Sequence, residues 1–93
     1  MPVSKETYER NFDMDEHLAW DMIRVSFRIG RQLRDLLPRL KEQCGPEEYE
    51  DHARAIAGAL HGVNTALIDR ALAVHPELSA RIEMGLAESG RVD

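Results

Sequence analysis

The sequence predicts an all-α fold: a two-helix antiparallel hairpin plus a short C-terminal helix, dimerising into a four-helix bundle. Three observations lead there. Apolar residues recur at steps of three and four along two long stretches. Glycine and proline fall where those stretches must stop and restart. Hydrophobic residues make up 43% of the chain but aromatics only 5%, which calls for an aliphatic interior of the kind helical bundles use. Ninety-three residues with 31% charge suit one small domain and exclude a disordered chain, a disulfide scaffold and a multidomain enzyme.

Residues 1–11 read as a flexible leader, and 12–90 as a single helical domain. Asp13 followed by Glu16 has the spacing of a capping box at the start of the first helix. Leu18, Met22, Val25, Ile29, Leu33, Leu36 and Leu40 then share one helical face, widened by Trp20, Ile23, Phe27 and Leu37. Pro38 lacks an amide hydrogen and crowds the preceding turn, so a kink or break is expected near Leu37. At Cys44-Gly45-Pro46 the helix ends, with Gly45 suited to a left-handed cap and Pro46 to the first turn of the next helix.

Glu47, Glu48, Glu50 and Asp51 sit where the helix dipole favours acids. The second stripe follows: Tyr49, Ala53, Ile56, Leu60, Val63, Leu67 and Val74. Its neighbours Ala55, Ala57, Gly58, Ala59, Gly62 and Ala66 are small, which predicts close helix–helix approach. His75-Pro76 closes this helix, and a third one carries Leu78, Ile82 and Leu86 to a stop near Gly90.

Two hairpin helices with stripes this wide cannot cover each other completely. The expected solution is a homodimer whose core and seam use Leu18, Met22, Val25, Ile29, Leu33, Leu36, Ile56, Leu60, Val63 and Leu67. The alternative is a monomeric three-helix bundle closed by the C-terminal helix.

Charge sets the classes of partner. The net charge is −5, against direct nucleic-acid or acidic-membrane binding. It is distributed in blocks: residues 1–21 sum to −4, 22–43 to +4, 44–52 to −4 and the remainder to −1. Blocks of this kind suit contacts made through charge. Arg24, Arg28 and Arg31 lie at i, i+4 and i+7, away from the leucine row; they read as a solvated face or as a partner-binding row.

The chemical inventory is thin. Cys44 is the only cysteine, which rules out an internal disulfide and fits a reduced, cytoplasmic setting. Among the histidines, Asp13/His17 and Glu48/His52 are four apart and could each offer two metal ligands from one helix face. The acids, however, sit in first turns where dipole partners are expected. His61 and Asn64 lie mid-helix, suited to a hydrogen bond across the interface or to exposure at the bundle edge. No catalytic, cofactor or metal site is therefore expected. The alternatives are a small-ligand or metal-binding bundle using His61 or His52, and an assembly subunit of a larger complex.

Several residues resemble the TraM family of quorum-sensing antiactivators: Asp21, Ile23, Arg24, Arg28, Ile29, Asp35, Leu36 and Leu37 in the first helix, Gly45-Pro46 in the connection, and Leu60-His61-Gly62 with Thr65-Ala66-Leu67 in the second. The similarity spans residues 21–67. The chain departs from that family in a shorter leader, a tighter connection around Cys44 and an added segment after Pro76. The resemblance implies a two-helix protomer, a homodimer and a protein partner, a LuxR-type transcription factor that the bound protein keeps off its operator.

Overall fold

The computed structural model describes residues 14–92, which are mostly helical, with no strand among them. Helix α1 is Glu16–Arg34, α2 Leu36–Gln43 and α3 Pro46–Asn64. A π-helical turn, Thr65–Asp69, continues α3 into α4, Arg70–Val74, and α5 is Leu78–Ser89. The leader expected at residues 1–11 lies outside the described residues.

Local chemistry sets each boundary. At the start of α1 the capping residue is Asp15, whose carboxylate accepts the Leu18 amide at 2.7 Å. The cap thus falls two residues beyond the expected Asp13, which lies outside the described residues, and Glu16 becomes a first-turn acid. The break in the first long helix comes at Asp35 rather than Leu37. Pro38 provides the reason: its ring crowds the carbonyl four residues back, at Arg34, so the ladder parts there.

The α2–α3 junction also differs from expectation in its backbone. Gly45 is extended (φ −68°, ψ 166°) and serves as the N-cap of α3, with Pro46 at its first position and Cys44 extended before it. The left-handed cap occurs instead at Gly90 (φ 74°), which ends α5. That stop turns the tail back, so that Val92 is 2% exposed against α5. His75-Pro76 ends α4 as the sequence predicts.

Contacts between α1 and the later helices run in reverse order along the chain. A Cβ built on Gly30 would meet Leu60 at 3.6 Å. The buried Ser26 hydroxyl donates to Asn64 Oδ1 at 3.0 Å. A ring nitrogen of His75 reaches the Met14 carbonyl. The core lies toward the last of these contacts: Ala19, Trp20, Ile23, Ala71, Leu78, Ile82 and Val92, with Phe27, Ile68 and Leu72 packed against it. The third helix therefore folds back within its own chain through Leu78 and Ile82, while Leu86 stays exposed.

Ala19, Ser26 and Gly30 are all buried, and their small size admits a neighbouring helix. The close approach expected of Gly58 and Gly62 is absent: a Cβ at either would meet open space. The π-helical turn, which periodicity does not anticipate, adds a residue to one turn. It falls between the half-buried Val63 and the fully buried Ala71. The molecule measures 58 × 36 × 13 Å.

Candidate functional site

The buried core involves α1, α4, α5 and Val92, and large apolar side chains remain exposed elsewhere. Of the ten residues expected to form the dimer core and seam, three are exposed in the single chain. Leu18, Val25 and Leu36 are 53%, 39% and 42% exposed. Met22, Ile29, Leu33, Ile56, Leu60, Val63 and Leu67 are half-buried, and none of the ten is fully buried. The buried face of α1 is Ala19–Ile23–Ser26–Gly30. At 100° per residue, Leu18 and Val25 point about 140–160° away from Ile23.

The first long helix is thus apolar on two faces. One folds onto this chain and the other is an open row of branched aliphatic side chains. Sequence reasoning found the open row because its residues are large. It counted Trp20, Ile23 and Phe27 only as a widening of that row and missed the small residues of the inner face, Ala19, Ser26 and Gly30, which lie with Ile23 at steps of four, three and four.

The arginine row is not one uniform charged strip. Arg28 is exposed, while Arg24 and Arg31 are half-buried. Arg24 lies 3.4 Å from Asp21, in an exposed i,i+3 pair of small energetic value. Its Nε is shielded from solvent with no hydrogen-bond acceptor. His61 is exposed, and the hydrogen bond expected across the helix interface is made by Asn64, to Ser26.

Two clusters of titratable groups lie elsewhere. At the α2–α3 junction, Cys44, Glu48 and His52 come together, with Glu48 and His52 3.7 Å apart. Partial burial of Cys44 pushes its thiol above the ordinary range, and the charge and hydrogen bond of Glu48 push the same way. The sequence offered Cys44 no partner; the extended backbone at Cys44 and Gly45 supplies one.

The second cluster fastens the start of α1 to the α4–α5 turn. His75 Nε2 is 2.6 Å from the Met14 carbonyl oxygen and Nδ1 is 3.0 Å from a Glu77 carboxylate oxygen. Both neighbours are acceptors, so both nitrogens donate and the charged imidazolium is favoured. The Met14 carbonyl raises the His75 pKa most, followed by Glu77, against partial burial; the charge of Glu16 adds to the rise. Glu77 is held below the usual carboxylate range by its own backbone amide and by His75.

A histidine raised in the folded state stabilises fully below its unfolded value and loses that contribution as pH rises through the folded one. A depressed carboxylate stabilises above its unfolded value and loses that contribution as pH falls through the folded one. Both contributions are complete between the ordinary values of 4.5 for Glu77 and 6.5 for His75. Thermal melts should therefore show stability declining above pH 6.5, and His75→Gln should flatten that decline. An identical decline in the variant would remove His75 as its source.

Comparison with protein-family models, curated proteins and solved structures found no match for the chain.

Proposed function

We propose that this chain is a small homodimeric protein-binding regulator, formed by two helical hairpins that pair into a four-helix bundle through the open leucine row. In this reading it is a cytoplasmic antiactivator without catalytic chemistry. It binds a LuxR-type transcription factor and keeps that factor from its operator. What supports the dimer is the exposure of large apolar side chains in the single chain: Leu18 and Val25 on α1, and Leu36 at the start of α2. Domains bury their apolar faces between two layers, and a second copy placed across a two-fold axis supplies the missing one.

What supports the partner class is the resemblance of residues 21–67 to the TraM family, together with the charge blocks. An inhibitor of this type needs a surface rather than a reactive centre: apolar anchors supply affinity and complementary charge supplies steering. The Arg24–Arg28–Arg31 segment and the acidic start of α3 give it both signs of charge to present.

A gel-shift assay with a LuxR-type regulator encoded near this protein tests the partner. Added protein should abolish the operator complex, and the two proteins should co-elute on a sizing column. An unchanged shift with no co-elution would reject the antiactivator reading.

A further inference from the structure

We infer that Cys44, Glu48 and His52 form a binding site for a single divalent transition-metal ion, of which Zn²⁺ is the best chemical match. The site lies at the α2–α3 junction and is independent of the proposed partner. Three unlike donors converge there: a cysteine sulfur, a carboxylate oxygen and an imidazole nitrogen, with one ligand atom of each within 4.8 Å of the others. They follow one another at i, i+4 and i+8. Glu48 and His52 therefore stand on successive turns of α3, and Cys44 hangs over its first turn.

The junction backbone fixes this placement. Cys44 is extended (φ −113°, ψ 152°), Gly45 is the N-cap and Pro46 opens the helix.

The donor set selects the metal. Sulfur and imidazole favour zinc-like ions over calcium or magnesium, which take oxygen ligands. Bonds of about 2.3 Å from sulfur and 2.0–2.2 Å from nitrogen or oxygen give tetrahedral donor–donor edges of about 3.3–3.7 Å. The Glu48–His52 separation is already 3.7 Å, and the remaining donors need about 1 Å of side-chain closure. Three protein ligands leave a fourth position for water.

Electrostatics support a cation there. Glu47, Glu48, Glu50 and Asp51 make the first turns of α3 strongly acidic, outweighing the adverse sign of the helix dipole. Binding breaks the S–H bond, forms a metal–sulfur bond and releases one proton per ion, with no change of oxidation state.

Full-length protein, purified without a tag and kept reduced, should be titrated with Co²⁺ and then with Zn²⁺. One Co²⁺ per chain is expected, with the visible bands of tetrahedral cobalt and a thiolate-to-cobalt charge-transfer band, both displaced by Zn²⁺. Cys44→Ser should lose the charge-transfer band. Glu48→Gln and His52→Ala should each weaken Co²⁺ binding at least tenfold, with circular dichroism unchanged. His61→Ala, on the same helix but outside the cluster, should bind as the wild type does. Substoichiometric binding by the wild type, or equal binding by the Cys44 and His52 variants, would reduce the site to an adventitious ion only and overturn the assignment.

Discussion

Replacing Val25 or Leu36 with glutamate is expected to turn a dimer of about 21 kDa into chains of 10.6 kDa without loss of helix. The expectation is sharp because the two structural readings of these positions diverge. Within one chain, Val25 and Leu36 are 39% and 42% exposed. A charge there should change stability by no more than about 0.5 kcal/mol. In a two-fold seam, each substitution buries an unpaired carboxylate twice, once from each copy. At about 1–3 kcal/mol per stranded polar group, the dimer loses roughly 2–6 kcal/mol, or about 30-fold to 10⁴-fold in dissociation constant. Sedimentation equilibrium of the wild type and both variants reads this directly. A wild type that sediments at 10.6 kDa across the accessible concentration range would end the dimer proposal.

How much of this was legible in the sequence follows from what each signal encodes. Gly45-Pro46, His75-Pro76 and Gly90 act through backbone geometry at single positions, and the helix boundaries fall at or beside them. Pro38 illustrates the resolution of such signals. Its effect is exerted one turn upstream, so the break appears at Asp35, and a reading centred on the proline itself lands two residues late.

Apolar periodicity is less decisive, because it identifies faces without saying what covers them. The first long helix has two, and the larger side chains drew attention to the one that the chain leaves open. The inner face holds Ala19, Ser26 and Gly30, residues too small to count as hydrophobic anchors but well suited to close helix contact. Burial of Ser26 further depends on Asn64, 38 residues away in sequence, and no local pattern couples those two positions. The π-helical turn at Thr65–Asp69 adds a register shift that a steady 3.6-residue period cannot represent.

The candidate sites follow the same logic. Glu48 and His52 were legible as an i,i+4 pair, and their acidic surroundings explained them away as dipole partners. Cys44 stands one further four-residue step before them, across the Gly45-Pro46 junction, and that junction hid the three-residue cluster. His75 was legible as a helix terminator; its bond to Met14, 61 residues earlier, emerges only once α1 lies against α4 and α5.

Truncation of Ile23 tests the inner face separately from the outer one. Ile23 is fully buried, flanked by Ala19, Trp20 and Ala71 in the core, and Trp20 is itself covered by the Arg81 guanidinium 4.1 Å from its ring centre. Ile23→Ala removes methyl groups from a site closed on all sides and should cost about 2–5 kcal/mol. For a domain of this size that corresponds to a melting temperature lowered by about 10 °C or more. Leu18→Ala offers the matched comparison, being half-exposed in the single chain.

The two losses should depend differently on protein concentration. Ile23 supports the fold of each chain, so its cost should hold at every concentration. Leu18 supports association, so its cost should grow as the wild type is driven into dimers, because association stabilises by mass action. Melts of the two variants at low and high protein concentration separate these contributions. A small, concentration-dependent effect for Ile23 with a large, constant one for Leu18 would mean that the chain folds onto the leucine row, reversing the two faces of α1.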